Sequence, residues 1–416
     1  MTHTIPSLIF IFFILFILYL TFSSRPPTAL RLAYLSNTFS NTTSSTPICD
    51  YSSGNWVWDI TIPLSSYSES CRFLDPGFQC RNNGRNDTQY LNWRWQPSHC
   101  DLLRFNARAM LERNRNKRIV FVGDSIGRNQ WESLLCMLAS GVENQSSIYE
   151  LHGLPISKHT GAFFVMRFDD FNLTVEYYRT PYLVLIQPPP PDADVQVRKV
   201  IHVDKMQWQS KYWVNADVLI FHVGRWWGST KITMKGHYFQ EGETINMTMD
   251  VKEGFRRSLQ TWKQWAVSNL NQEKTLAFFN SYSPSHFRRA SSNELSKKLN
   301  SIQWPDLFNF CRNGTWETGG SCQQNIEPET NLTAFEHEPW HNQVITETIE
   351  GMKMVKLLNI TYLSNLRKDG HPSSHREPAF RAENIEDCSH WCLPGVPDIW
   401  NELLYAYILS NDHRTS

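Results

Sequence analysis

Two short runs of the sequence contain the residue types needed for acyl transfer. Ser125 ends the run RIVFVGDS, in which an apolar strand leads into a tight Gly-Asp-Ser turn. Asp387 and His390 lie three residues apart in the C-terminal run DCSHWC. A carboxylate can hold one ring nitrogen of a histidine while the other nitrogen takes the proton of a serine hydroxyl. The two runs therefore supply the parts of an acyl-transfer triad.

Each run also has an ordinary interpretation when it is read alone. Gly-Asp-Ser occurs widely in turns that have no chemical role. In isolation, Asp387 and His390 fit an exposed aspartate beside a structural histidine, one of 14 histidines in the chain. The hypothesis of a triad therefore depends on a fold that brings the two runs together.

The elements around these runs predict an α/β fold. Strands are expected at 118–122, 216–221, 275–279 and 355–363, separated by helices at 129–139, 251–270 and 343–352, and a last helix follows at 397–409. Apolar strands that alternate with helices indicate a mostly parallel sheet covered on both faces. Strands at 162–168, 173–178 and 182–186 suggest an antiparallel excursion. Reactive groups gather at the carboxyl ends of parallel strands, and Ser125 and Gly224 each follow such a strand.

The N-terminal region predicts entry into the secretory pathway. Residues 1–22 are largely apolar, and the stretch reaches 18 residues when counted from Ile5. Because no Ala-x-Ala-like cleavage site follows, we favour an uncleaved signal anchor over a cleaved signal peptide. Residues 23–48 predict a flexible stem. Residues 49–117 form a Cys- and Trp-rich part, and the α/β part follows at 118–410. N-glycosylation sequons agree with this compartment and occur at Asn41, Asn86, Asn144, Asn172, Asn246, Asn313, Asn331 and Asn359.

The C-terminal run could also be interpreted as a zinc site, and the oxidising lumen of the secretory pathway argues against that interpretation. Cys388, His390 and Cys392, with Asp387, offer four groups of the kinds that bind zinc. Thiols pair into disulfides in an oxidising compartment, so we expect disulfides here and no metal.

The composition narrows the class of partner. Forty basic and 40 acidic residues leave no net charge, which argues against a nucleic-acid binder. Aromatic residues make up 13% of the chain, and exposed aromatic faces commonly stack on sugars, although a Trp-rich core accounts for many of them. No glycine-rich nucleotide loop is evident, so we expect no bound cofactor.

Several longer motifs resemble the plant trichome-birefringence-like family. They are IVFVGDSIGRNQ at 119–130, DCSHWCLPGVPDIWNE at 387–402, WRWQP at 93–97, LRKDGHPS at 366–373 and NGTWETGGSC at 313–322. The likeness runs from about Cys49 to Ser410. The family is similar in fold and triad to GDSL/SGNH hydrolases, which implies an SGNH-like α/β/α sandwich with a disulfide-stapled N-terminal region.

The resemblance also implies an activity. Characterised members are Golgi polysaccharide O-acetyltransferases, which implies a single-pass type II membrane protein with a luminal catalytic domain at 49–410. Ser125 would be the nucleophile, His390 the general base and acid, and Asp387 its partner. An acetyl group would pass from an unidentified donor through Ser125 to a cell-wall polysaccharide.

The acceptor and the reaction class stay open at this point. Residues 153–168, 172–184 and 208–214 look most like the subgroup linked to pectin, especially rhamnogalacturonan, while xylan, xyloglucan and mannan are alternatives. An esterase with the same triad and a non-catalytic polysaccharide-binding protein that bridges pectin are the competing hypotheses.

The resemblance implies four disulfides, which the spacing of the cysteines alone does not select. They are Cys49–Cys100, Cys71–Cys136, Cys80–Cys392 and Cys322–Cys388. Two of them would clamp the chain on either side of His390. Cys311 has no partner in this scheme.

The chain departs from the family pattern in two places. Members commonly have an Asn and a Gly-His before a Trp-Trp pair, whereas this chain reads FHVGRWW at 221–227. If the missing Asn donates to an oxyanion, His222 and Gly224 become the candidate oxyanion residues. Residues 289–312, which contain Cys311, predict an insertion that forms a surface loop or reflects a misjudged exon boundary.

Overall fold

The central sheet is built from buried apolar strands that run mostly parallel. β3 (Arg118–Gly123), β6 (Leu173–Arg179), β9 (Val218–His222), β12 (Leu276–Asn280) and β13 (Val355–Leu358) are its parallel members. β5 (Phe163–Phe168) adds antiparallel to β6, and β4 (Ile148–Glu150) pairs with β5. The strand order is β13-β12-β9-β3-β6-β5-β4. After β3 the chain first adds β4, β5 and β6 on one side of it and then β9, β12 and β13 on the other. The order of strand addition therefore reverses at β3.

This architecture is taken from a computed structural model that describes residues 49–61, 66–157, 161–287, 320–323, 325–330, 338–377 and 386–410. The expected anchor, the stem and the expected insertion at 289–312 lie outside the described residues. Within these ranges, no helix combines the length and the apolar character that crossing a bilayer requires.

Helices cover both faces of the sheet. α1 (Ala107–Arg113), α2 (Ser125–Ala139) and α6 (Val396–Ser410) pack on one face, and α3 (Val251–Asn269) and α4 (Trp340–Ile349) pack on the other. Alternate residues of β3 point to opposite sides, so Ile119 and Phe121 join the first core and Val120 and Val122 the second. The α/β/α sandwich expected from the sequence is confirmed.

Smaller elements complete the described chain. β1 (Gly54–Trp58) pairs with β2 (Trp93–Pro97) in an antiparallel hairpin. A second sheet contains β7 (Val184–Gln187), β8 (Lys199–Met206), β10 (His237–Glu241) and β11 (Thr244–Asn246) in the order β11-β10-β8-β7. Single 3₁₀ turns occur at Pro76–Phe78, Gln89–Asn92, Gln145–Ser147, Asp169–Phe171, Trp208–Tyr212, Thr233–Lys235 and Lys368–Gly370.

The predicted strand at 355–363 is too long, because the chain turns after β13. The hydroxyl of Ser281 accepts the N–H groups of Ile360 (2.8 Å) and Thr361 (3.0 Å), which ends strand pairing. A short helix, α5 (Thr361–Asn365), follows. A distant serine therefore decides the local backbone here, which hydrophobic periodicity does not reveal.

Candidate active site

The turn after β3 presents Ser125 at the carboxyl edge of the sheet. Asp124 caps α2, since one carboxylate oxygen accepts the N–H of Ile126 (3.0 Å). Its other oxygen accepts the N–H of Arg225 from the loop after β9 (3.1 Å). Burial raises the pKa of Asp124 to about 6, although these N–H groups act to lower it. Asp124 therefore fixes the turn, and Ser125 becomes the first, half-buried residue of α2.

Ser125, His390 and Asp387 form a continuous hydrogen-bonded chain. The Ser125 hydroxyl lies 2.7 Å from His390 Nε2, and His390 Nδ1 lies 2.8 Å from Asp387 Oδ2. Since the carboxylate accepts from Nδ1, Nε2 is left to accept the serine proton. The predicted residues are thus within proton-transfer distance of one another, across a sequence separation of 265.

Backbone donors hold the Asp387 carboxylate in place. Its Oδ1 accepts the N–H groups of Ser389 (3.1 Å) and His390 (3.0 Å). Burial acts to raise the pKa of Asp387, but the charge of His390 and these hydrogen bonds outweigh it, so the pKa lies below its usual range. Asp387 is therefore an ionised partner for the imidazole.

The main chain on the far side of His390 is fixed by a second histidine. His371 Nδ1 lies 2.6 Å from the carbonyl oxygen of His390, which only accepts, so Nδ1 carries the proton. His371 Nε2 is then the nitrogen without a proton, and it lies 2.7 Å from His286 Nδ1. The His371 ring also stacks on Trp391 with centroids 4.1 Å apart. Burial lowers the pKa of His371 well below its ordinary value, so this ring is neutral.

Two further contacts join the segment around His371 to the loop that carries the triad. Ser373 and Asp387 exchange both of their backbone hydrogen bonds at 2.9 Å. The N–H of Cys392 donates to the carbonyl of Gly370 at 3.0 Å. The LRKDGHPS motif therefore holds the backbone of the loop at 387–392 in position through hydrogen bonds near both of its ends.

Disulfides fasten the same loop at both ends. Cys322–Cys388 and Cys80–Cys392 lie on either side of His390, and Cys71–Cys136 ties α2 to the N-terminal region. These are three of the pairs implied by the family resemblance. Cys49 and Cys100, the remaining pair of that scheme, are each disulfide-bonded as well. Because Cys388 and Cys392 are cross-linked to other cysteines, neither offers a thiolate as a zinc ligand.

Arg225 joins three loops beside the triad. Its Nη1 donates to the hydroxyls of Tyr282 (3.1 Å) and Ser285 (2.9 Å), and its Nη2 donates to the hydroxyl of Ser389. Ser389 stands between Asp387 and His390, so the guanidinium lies in the wall of the site. The residue that replaces the family's histidine is therefore part of the site.

Comparison with known proteins identifies the family of this chain. A family model described as the GDSL/SGNH-like acyl-esterase family found in Pmr5 and Cas1p matches residues 102–302 and 308–407. A second model, the PMR5 N-terminal domain, matches residues 47–101. Protein trichome birefringence-like 9 of Arabidopsis thaliana is 50% identical over 396 residues, which cover 93% of this chain and 89% of that protein. The chain belongs to the trichome-birefringence-like family.

Other relatives give the same result for this trichome-birefringence-like protein. Trichome birefringence-like 6 of Arabidopsis thaliana is 39% identical over 368 residues, covering 87% of this chain and 70% of that protein. Trichome birefringence-like 4 is 38% identical over 371 residues, covering 87% and 75%. The predicted membership is thus confirmed.

The expected oxyanion role of His222 does not agree with its position in this trichome-birefringence-like protein. β9 directs the side chain beneath α2, where it packs against Trp400, and its Nδ1 lies 3.0 Å from the amide nitrogen of Asn280. Only 2% of the residue is exposed, and burial lowers its pKa to about 3. Strand alternation accounts for this, because His222 shares a face with Ile220 and Val218. Gly224 lies one residue before Arg225 with a φ of 140°, and its role stays a prediction.

The sequence analysis of this trichome-birefringence-like protein missed three residues that position the site. They are Arg225, His371 and Asn129, whose side-chain amide hydrogen-bonds both backbone groups of Trp391. Asn129 and His371 lie inside motifs that carry the family likeness, and Arg225 replaces the family's histidine. Two signals in the sequence could therefore have identified these residues. One is a polar residue inside a motif shared with the family, and the other is a local difference from the family's motif.

Proposed function

We propose that this protein is an O-acetyltransferase that acetylates a cell-wall polysaccharide through an acetyl-serine intermediate. The single observation that carries the proposal is the chain of hydrogen bonds from Ser125 through His390 to Asp387. Membership of an acyl-esterase-like family supports acyl chemistry in general. Pectin, especially rhamnogalacturonan, is the proposed acceptor.

The first half of the reaction forms the intermediate. Ser125 Oγ attacks the acetyl carbonyl of the donor while His390 Nε2 takes the hydroxyl proton. The bond between the acetyl carbon and the donor's leaving group breaks, and His390 returns the proton to that group. Asp387 stabilises the imidazolium that exists between these two events.

The second half transfers the acetyl group. A sugar hydroxyl attacks the acetyl carbon on Ser125, and His390 takes the sugar's proton. The bond to Ser125 Oγ breaks, and the proton passes back to Oγ. Water in place of the sugar would give hydrolysis, so acceptor binding and water exclusion decide between transferase and esterase.

We further propose that the N–H groups of Ser125 and Gly224 stabilise the oxyanion formed in both halves. The next amides of α2, those of Ile126 and Gly127, already donate to the Asp124 carboxylate, so Ser125 supplies the first amide of the helix. Losing one oxyanion donor typically costs on the order of 100- to 1,000-fold in turnover.

The experiment uses the purified full-length chain, an acetyl donor such as 4-nitrophenyl acetate, and deacetylated rhamnogalacturonan, xylan, xyloglucan and mannan. Mass spectrometry is expected to find an acetyl adduct on Ser125 and acetylated rhamnogalacturonan. Ser125→Ala should yield neither. Release of acetate without an acetylated sugar would identify an esterase. Complementation of a null plant by Ser125→Ala as fully as by the wild type would identify a non-catalytic binder.

We also propose that residues 1–22 anchor the protein in the Golgi membrane with the catalytic part in the lumen. The disulfides at Cys71, Cys80 and Cys322 support an oxidising compartment. Protease protection in sealed Golgi vesicles is the test, since a luminal domain should be digested only after detergent is added.

A further inference from the structure

Among the residues that the structure describes, the Arg225 guanidinium forms no direct ion pair with an acidic side chain, although its charge acts on the buried Asp124, whose carboxylate accepts the Arg225 backbone N–H. Its side-chain partners are the neutral hydroxyls of Tyr282, Ser285 and Ser389. A guanidinium has five N–H donors, and these contacts use three of them, two from Nη1 and one from Nη2. The donors that remain are on Nε and Nη2, which together form a fork that matches a carboxylate.

The position of Arg225 makes this charge relevant to a ligand. The residue is only half-buried and lies in the loop after β9, three residues beyond His222. It contacts Ser389, which neighbours His390 in the sequence. A half-buried cation held by neutral groups attracts an anion more strongly than one fully in water, because less solvent screens it.

A second basic residue lies at the same edge of the sheet. Arg179 ends β6 and is paired in register with Gly123, two residues before Ser125. It is exposed, and its guanidinium lies 5.9 Å from the centre of the half-buried Trp226 ring. Lys231 Nζ lies 5.6 Å from the centre of the same ring. We call Arg179, Arg225 and Lys231 the basic rim.

The basic rim contrasts with the rest of the molecule. The whole chain has no net charge, with 40 basic and 40 acidic residues. Arg179 and Lys231 flank the Trp226 indole, and Arg225 precedes Trp226 in the chain, so three basic residues are concentrated around this part of the sheet edge. An indole face stacks on a sugar ring, and cations beside it select rings that carry a carboxylate.

We propose that the basic rim is an acceptor subsite that binds the carboxylates of a polyuronate and places a neighbouring sugar hydroxyl at Ser125. Arg225 supplies a bidentate contact with one uronate, and Arg179 supplies a contact with another. The inference rests on the proposed function for its meaning in catalysis, while the binding site itself can be tested separately. It makes a uronate-containing polymer the acceptor class and assigns selection to charge.

Binding of matched ligands is the first test. Calorimetry with the full-length chain compares an oligogalacturonate with the same oligomer as its methyl ester, which keeps the sugar and removes the charge. We expect the acid to bind at least about tenfold more tightly, since a charge-assisted bidentate contact is of that order. The difference should shrink as salt is raised. Equal affinities for acid and ester in the wild type overturn the proposal.

Variants then locate the subsite. Arg225→Gln and Arg179→Gln are each expected to narrow the ratio of acid to ester affinity by about tenfold. Arg108→Gln, on the helix before β3, removes the same charge elsewhere and should leave the ratio unchanged. If Arg225→Gln does not fold because it joins three loops, the exposed Arg179 still supplies the test. If the ratio of acid to ester affinity is unaltered in Arg179→Gln and in any folded Arg225 variant, the basic rim is not the acceptor subsite.

The two proposals fail in different ways. If the wild type binds the acid selectively but never acetylates it, the transferase proposal is wrong and the subsite stands. If the wild type acetylates acid and ester with equal kcat/KM and binds them equally, the enzyme stands and the subsite is wrong.

Discussion

Asn129 holds the main chain of Trp391 at both of its polar groups. Its Oδ1 accepts the N–H of Trp391 at 2.8 Å, and its Nδ2 donates to the carbonyl of Trp391 at 3.1 Å. Asn129 lies one turn after Ser125 on α2, and Trp391 follows His390 directly. One buried amide therefore sets the distance between the nucleophile's helix and the histidine's loop.

Replacing Asn129 should uncouple these two parts. Asn129→Leu leaves the backbone groups of Trp391 without partners, and we expect kcat to fall by about 100-fold, since a displacement of about 1 Å in a site has that effect. Asn129→Asp keeps the acceptor for the N–H but loses the donor. Steady-state kinetics together with thermal unfolding separate misplacement from unfolding. Unchanged kcat in a folded Asn129→Leu protein would contradict this role.

His371 is expected to act through the carbonyl of His390. His371→Phe keeps an aromatic ring against Trp391 but removes the donor, whereas His371→Asn places an amide near the position of Nδ1. We expect kcat to fall roughly 10- to 100-fold in the first variant and to recover in part in the second, with little change in KM. Equal kcat in the two variants would show that the ring, and not the hydrogen bond, matters.

The Cys80–Cys392 disulfide is expected to affect activity more than Cys71–Cys136. Loss of a native disulfide typically costs roughly 2–5 kcal/mol of stability, and the two loops closed here differ in sequence separation, 312 against 65. Of the four cysteines in these two disulfides, only Cys392 lies two residues from His390. The measurement compares the specific activities of Cys80→Ser and Cys71→Ser. Each activity is divided by the fraction of protein in which Ser125 can be acetylated, so that misfolded protein is not counted. Full activity of folded Cys80→Ser would show that the clamp is not needed.

The buried His222 should make stability depend on pH. Burial lowers its folded pKa from 6.5 to about 3, so the unfolded chain binds a proton that the folded chain does not between these values. Its contribution is present above about pH 6.5 and is lost as the pH falls toward 3.

A variant isolates this contribution. His222→Leu removes a group that binds up to one more proton in the unfolded chain than in the folded chain between pH 4 and 6. The slope of the unfolding free energy against pH should therefore fall by up to about 1.4 kcal/mol per pH unit. Denaturant titrations with disulfides intact provide the slopes. Parallel curves for the two proteins would mean that His222 does not titrate as its burial requires.

The prediction of His222 as an oxyanion donor failed for a physical reason that the sequence contained only in part. Alternation along β9 gives the face of the side chain once the strand ends at 222, but the expected strand ended at 221. A histidine at the tip of a strand can point to the site or beneath the helix. Contacts with Asn280 and Trp400, 58 and 178 positions away in the chain, select the second position.

Much of the architecture followed from local patterns. Apolar runs placed β3, β9 and β12 within about two residues of their observed bounds, and the Gly-Asp-Ser turn marked where α2 begins. Local patterns specify such elements because the period of the hydrophobic residues and the capping side chains act over a few positions.

Local sequence patterns specify which residue types are present and which strand carries Ser125 to the sheet edge. Long-range packing brings His390 to Ser125 across 265 positions, places Asn129 and His371 against the loop of His390, and puts Arg225 beside that loop. Those contacts join segments distant in the chain, so their formation depends on how whole elements pack. Packing is a property of the complete fold, and no short stretch of sequence contains it.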